Sequence, residues 1–117
     1  MKIAIKILIL ICSFIFITCA YDNAEELYGE MNCPPGGVSF SQTISPIISM
    51  NCAVSGCHVQ GRQQPTLETY AQISSNAGKI KTRTSNGTMP PPISGSSLSQ
   101  NEIDEIACWV DAGAPDN

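Results

Sequence analysis

Cys52-Ala53-Val54-Ser55-Gly56-Cys57-His58 is the stretch on which the reading of this chain turns: two thiols separated by four residues, the second followed at once by the only histidine in the sequence. Ser55-Gly56 gives the intervening backbone freedom to bulge. Upstream, Phe40, Ile44, Ile47 and Ile48 recur at helical spacing and predict a helix that ends near Asn51. Pro46 leaves its start open. It is either the first helical residue behind a Ser45 cap, or a bend in a longer helix begun at Ser39 or Ser41. Downstream, residues 52–66 read as a loop around a site, and Leu67 to Ala77 as a short helix capped by Thr66. Residues 78–97, rich in Gly, Ser, Thr and Pro, read as an irregular loop. The clearest element is the last: Ser99-Gln100-Asn101-Glu102 is a capping-box pattern, and Ile103, Ile106, Ala107 and Val110 form one apolar stripe. Gly113 and Pro115 end it. With no strand and no internal repeat evident, the expected class is all-α, built from three to four short helices.

Two neighbouring thiols can add across two vinyl groups on one edge of a porphyrin, and an imidazole beside the second thiol can then reach a metal at the centre. C-x-x-C-H is the usual spacing for such haem attachment. The two extra residues here would be absorbed in an outward bulge that leaves Cys57-His58 in place. The segment alone leaves two other readings open: a local Cys52–Cys57 disulfide beside an incidental His58, or a zinc site shared with other cysteines. Zinc fits less well, because adjacent Cys and His do not readily close on one tetrahedral ion and the usual paired spacings are missing. A low-spin haem also needs a sixth ligand. Met89, in Gly87-Thr88-Met89-Pro90-Pro91-Pro92, is the candidate, since Pro90 favours extended backbone at Met89 and the run of prolines stiffens the loop on its C-terminal side. A methionine thioether raises the reduction potential. Met31 and Met50 are poorly placed to reach the opposite haem face.

The chain has 117 residues, a length for one domain. Residues 1–18 start with Lys2 and Lys6 and continue as an apolar run from Ile7 to Ile17, the pattern of a secretory signal peptide. That run is short for a membrane span, which takes about 20 apolar residues. Phe16-Ile17-Thr18-Cys19 resembles a bacterial lipobox, which implies a lipid on Cys19 and hence a membrane anchor; cleavage without lipid is the alternative. Residues 19–37 then read as a polar tether and linker, broken by Pro34-Pro35-Gly36-Gly37. Loss of Lys2 and Lys6 with the signal would take the formal net charge from −4 to −6. Such a charge excludes nucleic acid as a partner and suits proteins with basic docking patches. The remaining domain, residues 38–115, is near the size at which an apolar core needs a staple or a cofactor. Export permits disulfides. With Cys19 lipidated, the cysteines left are Cys33, Cys52, Cys57 and Cys108.

Taken together, Phe40-x-x-x-Ile44-x-Pro46-Ile47-Ile48, the Cys52 to His58 stretch, Gly87 to Pro92, and Trp109-Val110-x-x-Gly113-Ala114 resemble small class I cytochrome c domains. The resemblance spans most of residues 38–115. It implies a cytochrome c-like fold around one covalent haem c, with His58 as the proximal ligand and Met89 as the opposite one. It also assigns Pro65 as the proline whose carbonyl accepts from the other imidazole nitrogen, an orienting contact. The sequence departs from the family in its Cys–Cys spacing and in the short interval from His58 to Met89. In that fold the terminal helices cross, with Trp109 and Val110 in the angle between them. A Cys33–Cys108 disulfide would then pin the linker to the last helix, although Cys108 lies off the apolar stripe and two free thiols are the alternative. Lys79, Lys81, Arg83 and Tyr70 are candidate partners for the haem propionates, or else form a solvated strip.

The function implied is electron carriage outside the cytoplasm, not catalysis. The carrier would be a monomer held by its lipid at the periplasmic face or cell surface and exchanging electrons with redox partner proteins. Two other functions stay open. A non-haem surface lipoprotein, stapled by disulfides and acting as a binding module, would be colourless. A haem enzyme or sensor with an open iron position would take up carbon monoxide.

Overall fold

Pro46 sets the geometry of the first helix. It has no N–H to give to the carbonyl four residues back, and its ring crowds that carbonyl. In the computed structural model, which describes Met31 and residues 33–117, the chain absorbs this with a wider turn. A π-helical turn, Phe40–Ile44, has the Ser45 N–H reaching back to the Phe40 carbonyl, and runs directly into α1, Ser45–Asn51. Ser39 caps the start by accepting from the Gln42 N–H. Of the two starts that the sequence leaves open, the longer one is found. The signal segment 1–18, Cys19 and the tether as far as Glu30 lie outside the described residues.

Two expectations are corrected here. The helix after the site loop is α2, Tyr70–Ser75, and its cap is Thr69, not Thr66. Position 72, three beyond Thr69, is a glutamine that can return the bond to the cap backbone, and it does so. Three beyond Thr66 stands Thr69, which is too short for that role. The second correction concerns residues 78–97, which are helical as far as Ser85: α3, Ala77–Ser85, follows α2 after Asn76. Its buried face is Ala77, Ile80 and Thr84, at helical spacing, while Gly78, Lys79, Thr82 and Arg83 stay exposed. Thr84 is only 2% exposed because its hydroxyl donates to the carbonyls of Ile80 (2.9 Å) and Lys81 (3.1 Å). The rest of the segment is irregular apart from a 3₁₀ turn, Pro92–Ser94. The last helix, α4, runs Gln100–Asp111 behind the Ser99–Glu102 capping box. Among the described residues there is no strand, and the fold is all-α.

The core forms where α4 meets the first helix. Trp109, Ile44, Ile48 and Ile106 are the largest fully buried side chains. Phe40 stands edge-on to Tyr70 at 4.9 Å and tilted against Trp109 at 5.7 Å. Burial of each such side chain stabilises the fold by roughly 1.5–3 kcal/mol. The segment after α4 folds back over this contact: the Trp109 indole N–H donates to the Pro115 carbonyl (2.9 Å) and the Tyr70 hydroxyl to the Ala114 carbonyl (2.8 Å). The Asn117 side chain accepts from the Phe40 N–H at 2.7 Å.

Cys33 and Cys108 are joined by a disulfide. Cys108 lies off the stripe read from the sequence, yet it is 5% exposed. The buried surface of α4 runs through four consecutive residues, Ile106 to Trp109, and Cys33 is bonded onto the flank where Cys108 sits.

Candidate functional site

α1 delivers Cys52 to the edge of the core. The Cys52 N–H bonds to the Ile48 carbonyl (2.8 Å) as the helix ends, and its side chain is buried. The chain then leaves the helix and comes back. The Cys57 N–H meets the Val54 carbonyl (2.9 Å) around exposed Ser55-Gly56, with Gly56 at φ +87°, where a side chain would be strained. The His58 N–H then returns to the Cys52 carbonyl at 3.0 Å. In a helical turn that bond spans four residues, which is the Cys-to-His interval of C-x-x-C-H. Here it spans six, and the two surplus residues are taken up in the bulge.

Two further bonds hold the loop, Gln63 N–H to the Cys57 carbonyl (3.1 Å) and Leu67 N–H to the His58 carbonyl (2.8 Å). The Pro65 carbonyl lies 2.8 Å from His58 Nδ1. A ring proton on Nδ1 is thereby favoured, which makes Nε2 the lone-pair nitrogen able to bind a metal. Both thiols are free, whereas Cys33–Cys108 is closed. Burial, and after it the neighbouring Cys57, push the Cys52 thiol up to about 11. At neutral pH it is a protonated thiol, a poor ligand for a bare metal ion and a poor nucleophile. Among the described residues no three His, Cys, Asp or Glu side chains gather as a ligand cluster.

A cleft of about 360 Å³ opens beside the C-terminal end of α3, lined by Thr84, Gly87, Met89, Ser96, Leu98 and Ile103 among others. Its volume falls within the usual range for small-molecule sites, about 300–1,000 Å³. Met89 is half-buried there. Its N–H and that of Thr88 both bond to the Arg83 carbonyl (3.1 and 3.0 Å), which pins the methionine loop to the end of α3. Asn86 Oδ1 accepts from the Thr88 hydroxyl at 2.7 Å and from its N–H at 3.1 Å. The Gln64–Pro65 and Met89–Pro90 peptides are cis.

Cys52, Cys57, His58 and Pro65 are therefore brought together in one loop, while Met89 belongs to a separate cleft. The two regions meet where the Ser96 hydroxyl, on the cleft wall, donates to Asn51 Oδ1 (3.4 Å), next to Cys52. That contact, the buried Thr84 and the cleft-facing Leu98 escape a reading of the sequence alone. The spacing Ala77–Ile80–Thr84 was the available signal for Thr84. Tyr70 gives its hydroxyl to Ala114, and Lys81 pairs with Asp111. Among the described residues Lys79 and Arg83 have no acidic partner. Met31 and Met50 are exposed.

Among the described residues no helix is long and apolar enough to cross a membrane. In comparisons with protein-family models, curated proteins and solved structures, the chain matches none.

Proposed function

We propose that this chain is an exported mono-haem c-type cytochrome, anchored through a lipid on Cys19, that carries single electrons between redox proteins. The reading rests on the Cys52–His58 loop. The bond from the His58 N–H to the Cys52 carbonyl sets Cys57-His58 back beside the first thiol despite the longer spacing. Both thiols of that loop stay free in a chain whose other described pair is oxidised. The donor set fits the group: two free thiols to hold a porphyrin edge, an imidazole with Nε2 unspent, and a thioether in a neighbouring cleft.

Cys52 and Cys57 would hold the haem by thioether bonds, and His58 and Met89 would bind its iron. A haem so bound supplies one reversible electron site, cycling between Fe(III) and Fe(II). The chain's own residues do the rest. The Pro65 carbonyl fixes the ring orientation of His58. The Arg83 carbonyl holds the methionine loop in place. Leu98 and Ile103 contribute apolar surface to the cleft beside Met89.

The test is expression with a haem-attachment system. A Soret band, and a pyridine haemochrome spectrum of two thioether links, are expected for the intact chain; Cys52→Ser/Cys57→Ser should remove the covalent pigment. A colourless product from a competent host, with Cys52 and Cys57 oxidised to each other, would overturn the reading in favour of a stapled, haem-free lipoprotein.

A further inference from the structure

Positive charge is scarce in this protein and unevenly placed. Beyond residue 30 the basic residues are Arg62, Lys79, Lys81 and Arg83, and the last three stand on the single helix α3. Lys79 and Arg83 are one turn apart, exposed, and line the same groove with Thr82, Asn86 and Thr88. Lys81 differs: it points toward α4 and pairs with Asp111. The acidic residues lie elsewhere, with Glu102, Asp104, Glu105 and Asp111 all on α4.

This groove and the methionine cleft are the two sides of one turn. Thr84, Gly87 and Met89 line the cleft, while Arg83, Asn86 and Thr88 line the groove. Arg83 joins them: its side chain borders the groove and its carbonyl holds the N–H of Met89.

We propose that the outer face of α3, with Lys79 and Arg83 at its centre, is the docking surface for an acidic patch on a partner protein. That the partner is a redox protein rests on the cytochrome reading above; the charge argument does not. A guanidinium can clamp a partner carboxylate with two parallel bonds, Lys79 adds a point charge one turn away, and the Asn86 side-chain amide in the same groove carries further N–H donors. The chain's overall charge of −4 repels a dense polyanion at long range. A compact acidic patch seated within the Debye length, about 8 Å at physiological salt, feels the local cations instead. Charge that faces away from the chain's own sign steers association and selects the partner.

The experiment is an amide-shift titration of the purified full chain, isotopically labelled, with a short peptide bearing a compact cluster of glutamates, at low and high salt. Shifts should concentrate in Gly78 to Thr88 and collapse when salt is raised. Lys79→Glu/Arg83→Glu should weaken binding by about tenfold, a loss of about 1.4 kcal/mol in affinity. Arg62→Glu, a charge change of the same kind elsewhere, should leave it within about twofold. Shifts spread over the surface, equal loss in Arg62→Glu, or tighter binding to phosphatidylserine vesicles than to the peptide would each overturn the proposal. A second arm uses haem-loaded protein and ferricyanide. Local attraction makes the oxidation rate fall by about threefold as salt rises, whereas the net charge alone would make it climb. If the chain takes up no haem but the peptide still maps to α3, electron carriage fails and the docking surface stands.

Discussion

Cys52 is the residue at which burial and chemistry are most tightly coupled. Its thiol is pushed up to about 11 in the folded chain, from an ordinary 9.0. A group whose folded value is raised binds its proton more firmly in the folded state. Its contribution is therefore complete below pH 9 and is lost as pH climbs toward 11. Urea denaturation of haem-free protein should show stability falling across that window, by about 2–3 kcal/mol at most. Cys52→Ala should flatten the fall. Met89 makes a different prediction. In the haem-loaded form proposed above, Met89→Ala should leave the covalent pigment in place and remove the sulfur-to-iron charge-transfer band at the red end of the spectrum, together with a drop in reduction potential. At this scale the pairing of His58 with the Pro65 carbonyl was expected from the sequence and is present. What was not legible is how the chain closes a longer Cys–Cys interval. That depends on Gly56 taking a positive φ and on a backbone bond from His58 to Cys52, neither of which has a side-chain signature.

The elements divide according to whether the local sequence carries its own start signal. α4 was plain, since Ser99 and Glu102 form a capping box ahead of a regular apolar stripe. α2 was displaced by one turn because Thr66 and Thr69 are both acceptable caps, and only Gln72 decides between them. Thr69→Ala should therefore cost about 1 kcal/mol in chemical denaturation, and Thr66→Ala under about 0.5 kcal/mol. α3 was missed because its exposed face is Gly, Lys, Thr and Arg, a composition that reads as loop. Its helicity comes from packing Ala77, Ile80 and Thr84 against the core, a contact that local propensity does not contain. The first helix shows the converse. Its apolar spacing was evident, yet the π turn that relieves Pro46 alters the register of Phe40, and that register is what sets the ring against Trp109.

At the scale of the molecule, a short helical domain keeps its shape through few long-range ties. The core is one cluster around Trp109 and Ile106, the tail bonds back to Phe40 through Asn117, and the Cys33–Cys108 disulfide spans 75 residues of sequence. Restricting so long a loop in the unfolded chain stabilises the fold by about 2–5 kcal/mol. Cys33→Ser/Cys108→Ala should lower the urea midpoint accordingly, and a reducing agent should lower that of the parent chain by a similar amount while leaving the double variant unmoved. The same bond has a mechanical meaning. A pull arriving from the N-terminal side does not reach Val38 and peel the first helix away turn by turn. It is diverted at Cys33 into Cys108, in the buried middle of α4, so the first helix is not loaded end-on from that side.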